Sequence, residues 1–286
     1  MFDLRYHVAS LIAVFLALII GILVGVGLAG SGVTNKTDLR LAKAQRDAWR
    51  AAADQAQTEV DNLKRTENAF AIAYPAVMRN LLVGKRVAVL FVGPVDDGIR
   101  QTIERTLDDA GAPLPVRVVS LKVPIDAQRL DNTLFAHGQQ YQRYVGTNEL
   151  AALGASLGAE YQKGGQTPLW KLLGDQLIAE RNGNARQRAD SVVVVRTADP
   201  QQGETARFLH GLYAGLAASD VPAVGVEKAG ATPSAVATFR DRGLSTVDDL
   251  DLATGRAALA LLLAGATGGA YGVGAGEAIL PPVPSG

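Results

Sequence analysis

Residues 8–30, VASLIAVFLALIIGILVGVGLAG, contain no charge, proline, asparagine or glutamine, and Ser10 is their only polar side chain. A helix rises about 1.5 Å per residue, so this stretch spans roughly 34 Å, enough to cross a ~30 Å hydrocarbon core. The core of a cleaved signal peptide runs to only about 7–15 apolar residues, so the length favours an uncleaved anchor. A single transmembrane helix at 8–30 is expected, behind a short N-terminal tail at 1–7. The apolar run at 257–264 is too short for a second span.

One face of that stretch is built of small residues. Ala9, Ala13, Ala17, Gly21, Gly25 and Ala29 recur every four positions. Such ridges let two membrane helices approach closely, so Ala13, Ala17, Gly21 and Gly25 are candidate dimerisation residues.

Charge says less about sidedness. Only Arg5 precedes the span, whereas Lys36, Arg40, Lys43, Arg46 and Arg50 follow it. The positive-inside rule taken alone puts the bulk of the chain in the cytoplasm, but so short a tail is easily left on either side. Across the whole chain 28 basic residues balance 28 acidic ones, which argues against a nucleic-acid surface. There is no cysteine, which excludes disulfides, thiolate metal sites and a cysteine nucleophile.

A helical pattern follows, and a coiled coil is expected over 35–82. Leu39, Arg46, Ala53, Val60, Glu67, Tyr74 and Leu81 fall at heptad position a; Ala42, Trp49, Ala56, Leu63, Phe70 and Val77 fall at d. All but Arg46 and Glu67 are apolar, the signature of a sustained seam. A parallel homodimer through Ala53, Ala56, Val60, Leu63 and Phe70 is the expectation, continuing the axis begun in the membrane. Pro75 should kink or end the helix.

From 85 to 264 the pattern is α/β. RVAVLFV (86–92), VRVVSLKV (116–123) and SVVVVR (191–196) read as buried strands, and 221–227 and 244–247 as two more. Helices are expected to 110 after the 93–98 loop, and at 203–219, 234–242 and 254–264. This order points to an open, doubly wound, mostly parallel sheet. Residues 124–188 interrupt it and read as a helical insertion or lid, with helices at 127–135, 148–161 and 168–179. The Gly/Pro-rich tail at 265–286 reads as extended.

Candidate chemistry is thin. The loop GPVDDG (93–98) has glycines at its ends but neither GxGxxG nor GK[ST], and Asp96 and Asp97 would repel a phosphate. They read as a helix cap and a partner of the helix dipole. Asp248, Asp249 and Asp251 read as a polar loop with caps before the helix at 254. No Ser–His–Asp arrangement or nucleophile elbow is present, so no enzyme is expected. The loops at 93–98, 199–200 and 227–230 would line the usual α/β crevice.

The blocks MFDLRYHVASLIAVFLALIIGILVGVGL, GKRVAVLFV, TVDDLDLATGRAALALLLAG and YGVGAGEAILPP together resemble the actinobacterial copper-transporter, or MctB-like, family, a group that also takes in SteB-like cell-separation proteins. The resemblance runs over about residues 1–282. It implies a bitopic cell-membrane protein with its N-terminus in the cytoplasm and its coiled coil and α/β domain on the extracytoplasmic side. It also implies either copper homeostasis or control of septal wall splitting beside a cytoplasmic or envelope partner.

Copper is implied by the resemblance only. Soft Cu(I) prefers cysteine or methionine and Cu(II) prefers imidazole. Here Met1, Met78, His7, His137 and His210 show no ligand spacing. The residues themselves point to a non-catalytic dimeric scaffold or regulator of the envelope with no cofactor, which the resemblance would place in cell separation; the alternative is a component of copper export or homeostasis, as the family name implies.

Overall fold

The computed structural model describes residues 36–274 and 278–282. The expected membrane span at 8–30 lies outside them, and among the described residues no helix is long and apolar enough to cross a membrane. The chain divides into two compact units, Met1–Lys64 and Arg65–Gly286.

A long helix, α1 (Lys36–Met78), comes first. Its described side chains from 43 to 66 are exposed, including Trp49 at 68 % and Val60 at 39 %. From 67 onward the seam turns inward. Tyr74, Met78 and Leu82 are buried in an apolar core, with Phe70, Val77 and Leu81 packed against it. Pro75 lies inside the helix, which runs on only to Met78. A proline removes one backbone donor, and here the helix ends before another turn is needed.

The second unit is built on a seven-stranded sheet in the order β3-β2-β1-β4-β5-β6-β7. Its strands are β1 (Val87–Val92), β2 (Arg117–Leu121), β3 (Ile178–Gly183), β4 (Ser191–Arg196), β5 (Ala223–Val226), β6 (Ser245–Val247) and β7 (Ala270–Tyr271). All pair in parallel except β3, which runs antiparallel to β2. Successive side chains of a strand point to opposite faces. Ala88, Leu90 and Val92 therefore join one core layer, while Val87, Val89 and Phe91 join the other. Burial on both faces is why these strands read as unbroken apolar runs.

One face carries α2 (Asp97–Asp109), α9 (Ala253–Ala264) and the end of α1. The other carries α3 (Ala127–Ala136), α5 (Leu150–Lys163), α6 (Pro168–Leu177), α7 (Gly203–Ala217) and α8 (Val236–Arg240); a short α4 (Gln139–Gln142) joins α3 to α5. The mostly parallel, two-faced α/β layout matches the expectation. The 124–188 segment is not a lid: Leu130, Leu134, Leu153, Leu157, Leu173 and Leu177 are buried in the core. It ends in the unexpected edge strand β3.

α5 and α7 meet backbone to backbone. A Cβ on Gly154 would stand 2.7 Å from Leu212 N, and one on Gly211 would stand 2.7 Å from Ala151 Cα. Gly158 and Gly215 repeat the contact one turn on, with Leu216 N at 2.9 Å and Ala155 Cα at 2.6 Å. Two small-xxx-small ridges thus interlock inside the domain, by the packing logic that serves membrane helices.

Candidate functional site

The conventional ligand position of an open α/β sheet is the crevice at the strand-order reversal, here between β1 and β4. In this chain the two loops close on each other. Thr197 Oγ1 donates to Pro94 O at 2.6 Å, and Ser120 Oγ donates to Gly93 O at 2.8 Å. Gly93, at φ 108°, lets the loop approach so closely that a Cβ would lie 2.7 Å from Ala198 N. Asp96 caps α2 through Ile99 N, as expected, and its carboxylate lies 3.5 Å from Lys228 Nζ. Glu227 accepts from Ser234 Oγ and Ala235 N, both at 2.6 Å. The crevice residues are occupied in holding loops.

Chemistry concentrates instead where the end of α1 meets α9. The carboxylate of Glu67 accepts from Ala253 N, from Thr254 N at 3.3 Å and from Thr254 Oγ1 at 3.1 Å. It supplies from another helix the cap that Leu252, the N-cap residue of α9, cannot provide. The expectation that the aspartates at 248–251 would cap this helix is therefore corrected. Asp251 instead accepts from Ala229 N at 2.7 Å, and Asp249 is fully buried, with Oδ2 at 3.1 Å from Thr254 Oγ1. Asp249 Oδ1 has no partner.

Burial raises the pKa of Asp249 to about 7; the Thr254 hydrogen bond opposes this, and the charges of Asp248, Asp251 and Glu67 add to it. When Asp249 is protonated, its carboxyl can donate to Thr254 Oγ1 while Thr254 donates to Glu67, both across 3.1 Å. The unpartnered oxygen is then a neutral carbonyl rather than half of a buried charge.

The glycine tail completes this region. Part of the tail read from sequence as extended, residues 268–274 contain β7, and Asp248 N donates to Tyr271 O at 3.2 Å. Gly274 N donates to Asp248 Oδ1 at 3.3 Å. Gly272, at φ 130°, packs so that a Cβ would lie 3.0 Å from Asp249 Oδ1. Two sequence blocks, TVDDLD and YGVG, and one residue of α1 thus converge. A second tie lies farther along α1, where Tyr74 OH donates to Asp109 Oδ2 at 2.8 Å and Arg256 stacks over its ring at 5.2 Å. Burial pushes the Tyr74 hydroxyl up to about 12.

A family model described as copper transport outer membrane protein, MctB, matches residues 1–282. The chain belongs to the MctB family. No curated protein matches it. In this MctB-family chain the described residues suited to copper lie on separate elements, Met78 at the end of α1, His137 after α3 and His210 in α7. Met78 is fully buried in the apolar core. His137 Nδ1 lies 2.8 Å from Thr133 O, and His210 Nδ1 lies 3.1 Å from Arg242 Nη2. Burial and Arg242 hold the His210 pKa down. Among the described residues no group of three or more His, Cys, Asp or Glu is placed to hold a metal ion.

Of the candidate dimerisation residues in this MctB-family chain, Ala53, Ala56 and Val60 are exposed on α1, while Phe70 packs against the chain's own core. Ala13, Ala17, Gly21, Gly25 and the Leu63 side chain lie outside what is described. Glu67 was legible only as an irregularity: a charge at an apolar seam position, one helical turn before the seam enters the domain.

Proposed function

We propose that this MctB-family protein serves copper homeostasis in the cell envelope as a non-catalytic, membrane-anchored, dimeric scaffold. It acts by assembly and carries no copper through its own chain. The observation that supports this reading is the behaviour of one apolar stripe. From Phe70 the stripe is covered by the domain, whereas at Trp49, Ala53, Ala56 and Val60 it is bare. An apolar heptad stripe on an exposed helix is completed by a second helix. The apolar run at 8–30, with small residues every four positions, is the anchor in this reading. Glu67 and Tyr74 tie the last turns of that helix to α9 and α2.

A second reading, favoured by the family's description, makes the chain a component of copper export that binds the ion itself. The two readings separate in one strain series. A deletion strain is complemented with the native chain, with Ala53→Glu, which disrupts the stripe, and with His137→Ala/His210→Ala. The scaffold reading expects copper tolerance to be lost with Ala53→Glu and kept with the double histidine variant. The reverse pattern overturns it, as does a deletion strain that forms unseparated cells with unchanged copper tolerance.

A further inference from the structure

Beside the edge strand β3 lies a cleft of about 920 Å³, on the sheet face that carries α5 and α6. Its charged lining is Arg117, Lys171, Arg181 and Arg186 against Glu160 and Asp175. Arg117 is only 3 % exposed. Its guanidinium donates to the carbonyls of Tyr161 and Gln187 and stacks on the Tyr161 ring at 4.8 Å. None of the four cations is in an ion pair with a carboxylate among the described residues. A buried charge with no counter-charge is costly to keep, and desolvation holds the Arg117 pKa down.

Neither carboxylate is in an ion pair with these cations, and the four positive charges outnumber the two negative ones. Glu160 turns both oxygens to the backbone, accepting from Leu169 N at 3.0 Å and Trp170 N at 3.2 Å to cap α6. Arg181 reaches across α6 where Gly174 leaves room; a Cβ there would stand 3.0 Å from its Nη2. Apolar wall is supplied by Pro168, Trp170 and Ile178. Guanidinium groups match phosphate and carboxylate in geometry as well as charge.

We infer that this cleft binds a soluble organic anion bearing at least two phosphate or carboxylate groups, its apolar part against Trp170 and Ile178. Four cations against two carboxylates leave an excess of two positive charges for the ligand to meet. Nothing in the family's description assigns such a site, and the inference does not depend on the scaffold reading.

The test uses the full chain in detergent with Trp49→Phe, which leaves Trp170 as its single tryptophan because the sequence has two. Inorganic pyrophosphate and citrate are titrated at constant ionic strength, with chloride as the control, while Trp170 fluorescence is read. A saturable change with either probe is expected, weakened at least tenfold by Arg181→Gln/Arg186→Gln; the tighter probe identifies the group preferred. Both arginines are exposed, so the double variant keeps its fold. No saturable change with either probe, or equal affinity in the double variant, overturns the site.

Discussion

Thr254 Oγ1 stands 3.1 Å from Glu67 Oε2, a contact between two helices far apart in the chain. It caps α9 and holds α1 to that helix at once. Glu67→Ala removes a cap acceptor that serves two backbone donors, so the unfolding free energy should fall by about 1–2 kcal/mol. Urea denaturation of the full chain checks this, and Glu67→Gln, which keeps one acceptor oxygen, should lose less. Equal stability of native chain and Glu67→Ala would mean that the contact does not hold the helix.

The neighbouring carboxyl sets a pH dependence. Burial raises Asp249 to about 7 in the folded chain, against an ordinary value near 3.8. Between those values the folded state holds a proton that the unfolded state has released, so stability falls as pH rises from about 4 to about 7 and levels off above. Burial also raises Glu160, which acts in the same direction. His210 is depressed and acts oppositely, its contribution appearing as pH rises through about 6.5. Subtracting the curve of Asp249→Asn from that of the native chain isolates Asp249. The native chain should lose a few kcal/mol relative to the variant between pH 4 and 8; parallel curves would contradict the raised pKa.

The α5–α7 contact tolerates no side chain. Gly154→Ala would place a methyl 2.7 Å from Leu212 N, against backbone that cannot step aside. A loss of about 2–3 kcal/mol is expected, with a melting temperature lower by roughly 5–10 °C. Gly165→Ala is the control for space: nothing lies within 4 Å of its Cβ, and only its φ of 72° resists the change. The control should cost about 1 kcal/mol.

How much of this was legible in the sequence follows from how locally each feature is determined. β1 and β4 were readable because residues buried on both faces must be almost wholly apolar, and β2 showed as a strand despite Arg117 and Ser120. The insertion helices were read at 127–135, 148–161 and 168–179, but whether they covered the core or a crevice depended on long-range packing. β3 was not legible. Its sequence IAERNG is exposed at five of six positions and is a strand only because β2 offers it an antiparallel edge. β7 is two residues long and carries no periodicity. The glycines at 154, 158, 211 and 215 are spaced by four, yet nothing local distinguishes a helix that buries such a ridge from one that does not. The site at Glu67 joins residues almost two hundred positions apart, and its one local sign was a charge out of place in a heptad.

The central claim is that α1 pairs with a second copy of itself along its bare stripe. The sequence has no cysteine, so single cysteines report on that pairing without background. Ala53 sits at heptad position a and Thr58 at the outward position f. Disulfide formation is measured in native membranes after mild oxidation, for Ala53→Cys and Thr58→Cys in turn. A parallel dimer predicts efficient covalent dimer with Ala53→Cys and little with Thr58→Cys; equal yields from the two, or none from Ala53→Cys, would contradict the account.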